Sequence, residues 1–111
     1  MSDEDGKRAA HRALVDRVLN GEGKASAEQR ACAFGNDGLS PPLDTLIAKI
    51  VNSPAQVSEA DLAAAKASGR TEDQVFELVV CAAVGQSDRL YGAGLAALAE
   101  ATGGERPDHA A

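Results

Sequence analysis

Apolar residues along this chain recur mostly in steps of three and four, the spacing that lines one face of an α-helix. Residues 7–20, "KRAAHRALVDRVLN", place Ala10, Leu14, Val15, Val18 and Leu19 on one side, and Gly21 can close the helix. Ser26 opens "SAEQ", an N-cap with glutamine three residues on, and starts a short helix reaching Phe34 and Gly35. The stretch "NDGLSPPLD" is turn chemistry. It predicts Ser40 as cap and Pro41 as first residue of a helix over 41–52, with Leu43, Leu46, Ile47, Ile50 and Val51 on its apolar side. Asn52 and Pro54 stop that helix. Ser58 caps the next through "SEAD", Gly69 ends it, and Thr71 opens "TEDQ", a capping box with Gln74. The pattern then predicts one helix over 72–85 and a separate last helix from Ser87 and Asp88 to about Thr102. These helix signals leave little room for strands. The expectation is a single all-α domain over 1–111, a bundle of about five to six helices, with 1–6 and 103–111 as disordered tails.

One segment departs from the surface-helix pattern. Between Val75 and Val84 only Glu77 is polar, so apolar residues surround almost the whole helix. A surface helix keeps a polar side. This one is expected to be central or to lie at a subunit interface. Gly92 and Gly94 each cost about 1 kcal/mol of helix propensity relative to alanine. Close approach of a neighbouring helix would account for them; the alternative is a late start to the last helix.

Composition narrows the picture. Aromatic residues make up 3% of the chain, as Phe34, Phe76 and Tyr91, and alanine is plentiful. Alanine buries little area, so its helices must approach closely or share their faces with another copy. A homo-oligomer is expected. The net charge of −6 disfavours a nucleic-acid partner, whose binding draws on phosphate neutralisation. The start "MSDEDGKR" has no apolar stretch of the kind a secretory signal needs, and no apolar run approaches the roughly 20 residues that span a bilayer. A cytoplasmic protein without membrane partners is expected. Lys7, Arg8, His11 and Arg12 form a basic patch, read as a solvated face in preference to a docking patch. Cys32, Cys81, His11 and His109 are too scattered to suggest a metal site, and no motif implies a cofactor.

Two resemblances bear on function. Ala65, Gly69 and Val75 fit the loose spacing of a helix-turn-helix, but the second helix would offer DNA Glu72, Asp73 and Glu77, which phosphates repel. DNA binding is the remote alternative. The second resemblance is closer. "DLAAAKASGRTEDQVFELVVCAAVGQSDRLYGAGLAALAEA", residues 61–101, resembles the carboxymuconolactone decarboxylase or AhpD-like family. Members read small-rich helix, Gly, [ST]-Glu-Asp/Glu-x-Ile/Val, apolar helix, then an Ala/Leu-rich helix. The helix at 41–52 matches loosely, and the first 35 residues carry no family motif. The resemblance implies packed helical hairpins assembled as dimers, trimers or hexamers.

The redox branch of that family carries a carboxylate, a Cys-x-x-Cys pair and, four residues on, a histidine. A thiolate attacks peroxide or disulfide, its neighbour resolves it, and His and Glu move protons. Counting back from Gly69, "PAQV" stands at the Cys-x-x-Cys places, as Pro54 to Val57, and Asp61 at the histidine place. The carboxylate place falls on Pro42, with Asp44 two positions away. The catalytic thiol pair is therefore absent. Cys81, in the apolar run, reads as a core cysteine and Cys32 likewise. Asp61 is explained by capping, Asp88 and Arg89 as a helix-start charge and a surface arginine. Tyr91, beside two glycines, reads as core packing or as a pocket wall. Asp44, Asp61, Cys81 and Tyr91 are the candidate pocket residues, and no catalytic residue is assigned. The expected function is a non-redox AhpD-like module that binds itself, another protein or a small ligand. The alternative is an enzyme of that family, a small lyase or residual alkylhydroperoxidase.

Overall fold

In the computed structural model, which describes residues 3–103, helix α5 (Glu72–Gly103) is the axis on which everything else packs. Before it come α1 (Asp3–Asn20), α2 (Ala27–Gly35), α3 (Leu43–Asn52) and α4 (Glu59–Ala67). A single 3-10 turn, Pro54–Gln56, joins α3 to α4. Among the described residues there is no strand, and the fold is all-α with five α-helices.

Local cap chemistry sets most boundaries. Ser26 Oγ accepts from the Gln29 amide at 3.1 Å to start α2. At α4 the box is reciprocal: the Asp61 amide donates to Ser58 Oγ (3.3 Å) and the Ser58 amide to Asp61 Oδ2 (2.9 Å). At α5, Gln74 donates its amide to Thr71 Oγ1 (3.1 Å) and accepts from the Thr71 amide (2.8 Å). Gly69 ends the α4 turn at φ +102°, a conformation that only glycine adopts without strain.

Four boundaries or faces differ from the sequence expectation. Helix α1 begins at Asp3 instead of Lys7; its first turn holds no apolar residue for a periodicity to detect, while an acid such as Asp5 suits the positive helix end. Helix α3 begins at Leu43, and Ser40 does not cap it. Pro41 precedes Pro42, and a residue before proline is disfavoured in the helical region, so neither Ser40 nor Pro41 can open the helix as expected. On α1, Ala10 and Leu14 are exposed while His11, expected in the basic patch, turns toward α5. Most consequential, 72–85 and 87–102 are one helix of 32 residues, not two.

The continuity has a cause. Gly85 is buried where α5 crosses the end of α2, and a Cβ built there would overlap the Phe34 carbonyl. It is a contact glycine, not a terminator. Arg89 donates to the same Phe34 oxygen at 2.7 Å, one turn further along α5. Gly92 and Gly94 meet no neighbour within 4 Å inside the chain and lie within α5, so neither marks a crossing with another helix of the same chain nor a helix start.

The core lies at the α2–α3–α5 junction, around Ala33, Leu46, Ile47, Leu78, Cys81 and Ala82. Helix α1 runs antiparallel to α5 outside that core, with His11 beside Asp88 and Val18 beside Cys81. From Ser87 to Thr102 no residue of α5 is buried, and its side chains there meet α1 through Asp88 and Tyr91 and the end of α2 through Arg89. The molecule measures 62 × 28 × 20 Å with a radius of gyration of 17.6 Å; a compact domain of this length has about 13 Å.

Candidate functional site

The single polar residue of the apolar run points at the loop between α1 and α2. Glu77 accepts from the Lys24 amide through both carboxylate oxygens (2.9 and 2.7 Å) and from the Ala25 amide at 2.8 Å. Gln74, one turn earlier, donates to the Lys24 carbonyl at 3.2 Å. A Cβ at position 23 would press on the Glu77 carboxylate, which would have to shift from its amide donors to admit it. Burial pushes the Glu77 carboxyl up, yet the two backbone donors and the nearby Arg30 charge outweigh it and hold it below the usual range. A carboxylate so saturated is a poor proton acceptor.

Arg30, 9% exposed, closes the other side of the loop. Its Nη1 donates to the Gly21 carbonyl at 2.7 Å and more weakly to Val18 at 3.5 Å, while its buried Nε has no hydrogen-bond partner. Cys81 lies alongside and donates to the Val18 carbonyl at 3.2 Å. Burial raises its thiol pKa; Arg30 opposes the rise and Glu77 adds to it. Cys81 is therefore held as a thiol and not as the nucleophilic thiolate. These groups border a cleft of about 150 Å³ whose wall also includes Arg17 and Phe76.

Further along the α1–α5 valley, His11 Nε2 stands 2.7 Å from Asp88 Oδ1, and its ring packs on Tyr91 with centroids 4.5 Å apart. With the carboxylate accepting, Nε2 carries the proton and Nδ1 is left for another partner. A cleft of about 600 Å³ opens here between Leu14 on α1 and Ala83, Ser87 and Leu90 on α5. Asp88 is thus a mid-helix partner for α1, and Tyr91 a half-buried ring on the valley wall.

The four residues expected to share a pocket do not come together. Asp44 sits in the first turn of α3, exposed, and accepts from the Thr45 amide at 2.7 Å. Asp61 pairs with Lys49 at 3.0 Å besides its capping bonds, and the Ser58 amide and then Lys49 lower its carboxyl pKa. Asp44, Cys81 and Tyr91 line separate clefts. Cys32 is half-buried near Gly38, and neither cysteine forms a disulfide. Glu77 and Arg30 are the site residues that sequence reasoning passed over. For Glu77 the signal was present: a lone acid inside an apolar helix needs donors. For Arg30 there was none.

Among the described residues, no group of three His, Cys, Asp or Glu is placed to hold a metal ion, and no helix is long and apolar enough to cross a membrane. Comparison of the chain with family models, curated proteins and solved structures gave no match.

Proposed function

We propose that this chain is a non-redox helical module of the AhpD-like kind that acts by binding, and that it works as a homo-oligomer. The observation that carries the reading is the apolar surface left on α5. Phe76 is 66% exposed, Leu90 62% and Leu98 59%, on a helix whose opposite side is the core. Scattered exposed leucines are ordinary, but several large ones on one helix mark an interaction surface.

The chemistry at the family's thiol places supports the non-redox half. Pro54–Gln56 is a 3-10 turn carrying no thiol, and Asp61 is engaged with Ser58 and Lys49. Cys81 is sequestered as a thiol. The test is peroxide-dependent turnover with a dithiol reductant, run beside sedimentation at micromolar concentration. The reading expects no turnover and a mass above the 11.3 kDa of one chain. Turnover lost in Cys81→Ser would overturn the first half, and a single-chain mass the second.

One observation favours the enzyme alternative, a small lyase. His11 and Tyr91, residue types that can hold a substrate carboxylate, meet in an open cleft. Against it stands Asp88, whose negative charge sits on the same histidine and would repel a carboxylate. Saturation binding of small carboxylates, followed by the Tyr91 fluorescence, separates the two readings.

A further inference from the structure

Starting at Phe76, alternating steps of four and three along α5 reach Val80, Ala83, Ser87 and Leu90 in turn. The same steps continue through Gly94 and Ala97 to Ala101. Val80 is half-buried and the other seven are exposed, so the whole line faces outward. A strict three-four spacing has a period of 3.5 residues. It drifts only about 20° per heptad on a straight helix and is the pattern of a helix meeting another along its length. On α5 this line runs between α1 on one side and α4 on the other. The clefts of about 150 and 600 Å³ are the valley along its α1 edge.

We infer that the occupant of this line is α5 of a second copy, running antiparallel and centred between Ser87 and Leu90; the inference rests on the oligomeric reading above and names its surface. Size pairing selects both partner and direction. In the antiparallel register Phe76 meets Ala101, Val80 meets Ala97, Ala83 meets Gly94 and Leu90 meets Ser87. Each large side chain faces a small one, and the Ala83–Gly94 pair brings two backbones close. A parallel pair would set Phe76 against Phe76 and Gly94 against Gly94, with overpacking at one end and a void at the other.

The area is sufficient. Twenty-six residues from Phe76 to Ala101 span about 39 Å, and with α1 beside α5 the layer is roughly 15–20 Å wide. That gives roughly 600–800 Å² per copy, or about 1,200–1,600 Å² in all, within the range of stable specific interfaces. Pairing would place α1, α5 and their two counterparts as an antiparallel four-helix bundle, which supplies the second layer that the two-helix arm lacks. It would also cover the His11–Tyr91 cleft from the open side.

The test is sedimentation equilibrium of the full chain from about 1 to 100 µM, with Leu90→Glu and Ala96→Glu as variants. Leu90 is largely exposed in the single chain and Ala96 lies off the line on α5, so circular dichroism should report both variants folded. The parent should sediment at twice the chain mass. Leu90→Glu should weaken the dimer roughly 100-fold or more, because two carboxylates enter a desolvated seam, and Ala96→Glu should leave it unchanged. Spin labels at Ala99→Cys in a Cys32→Ser background should lie about 30 Å apart between copies, against about 10–15 Å for a parallel pair. A dimer untouched by Leu90→Glu, or one with the short distance, overturns this inference while the oligomeric reading stands. A parent that stays at one chain mass at 100 µM overturns both and leaves the seam to a partner of other sequence.

Discussion

Gly85 and Gly92 lie seven residues apart on the same helix, and alanine at the two positions should move stability in opposite directions. Both substitutions gain the helix propensity that glycine lacks, about 1 kcal/mol. At Gly92 nothing lies within 4 Å of the added methyl, and the residue is exposed, so the gain should be realised: Gly92→Ala should stabilise by about 0.5–1 kcal/mol. At Gly85 the methyl would overlap the Phe34 carbonyl oxygen, with the Phe34 carbonyl carbon and Cα also against it. These are backbone atoms at the end of a helix and cannot rotate aside. The α2–α5 crossing must open instead, loosening a core that includes Ala33 and Leu78 and stretching the Arg89 bond to the same oxygen.

Overpacking that shifts backbone costs about 1–3 kcal/mol, and an overlap with backbone atoms of Phe34 falls at the upper end of that range. Subtracting the propensity gain leaves Gly85→Ala destabilised by about 2 kcal/mol. For a domain of this size that is a fall of roughly 10 °C in Tm. Urea unfolding followed by circular dichroism at fixed protein concentration measures both variants. If Gly85→Ala is as stable as the parent, α2 does not press on α5 at that point. The α2–α5 contact is then not what makes Gly85 a contact glycine inside the unbroken 32-residue helix.

Glu77→Gln should cost about 1–2 kcal/mol at pH 7, because an amide cannot accept from both the Lys24 and Ala25 backbone donors without turning its own NH2 on one of them. The Glu77 pKa is lowered on folding, so its contribution is complete above the ordinary value of 4.5 and disappears as pH falls through the folded value. The gap between parent and variant should therefore narrow as the pH falls below 4.5, and a gap that stays constant through that fall would contradict this. Gly69→Ala, at φ +102°, and Ser58→Ala, which removes a reciprocal cap, should each lower stability by about 1 kcal/mol in thermal unfolding. In native protein, Cys32 should react with a thiol reagent at least roughly tenfold faster than buried, hydrogen-bonded Cys81; equal rates would remove the sequestered-thiol argument.

Caps were legible in the sequence because they are closed over three or four residues. Ser26, Ser58 and Thr71 each hold the amide bonds that the spacing implied. The same local grammar misled at "GQSD", where glycine followed by serine and aspartate reads as an end and a new start. What decided that point was Phe34, more than fifty residues away in sequence and in contact with Gly85. His11 failed in a similar way. Periodicity gave α1 an apolar stripe, but only the position of Asp88 and Tyr91 on α5 determines which flank of that stripe turns inward. The expected pocket failed for a third reason. Asp44, Asp61, Cys81 and Tyr91 each suit a pocket by their own chemistry, but each meets a separate partner in the fold.

The helix over 75–84 posed a choice between a central position and an interface, and α5 has room for both. Leu78 and Ala82 face the core, while Glu77 and Cys81 face α1 and the loop after it. Val75 and Val79 look toward α4 across the Leu62 cleft. That accounts for about two-thirds of the circumference. The third that remains carries Phe76, Ala83 and Leu90, and the side continues past the end of the core, through Gly94 to Ala101. Had the chain needed only a core, this side could have been charged, as the outer side of α1 is with Lys7, Arg8 and Arg12. Between Phe76 and Ala101 it holds no charge at any of its three-four positions. An uncharged line of fixed spacing, longer than the core it springs from, is what a helix presents to another helix, and in its own reverse Phe76, Val80 and Leu90 fall opposite the small Ala101, Ala97 and Ser87.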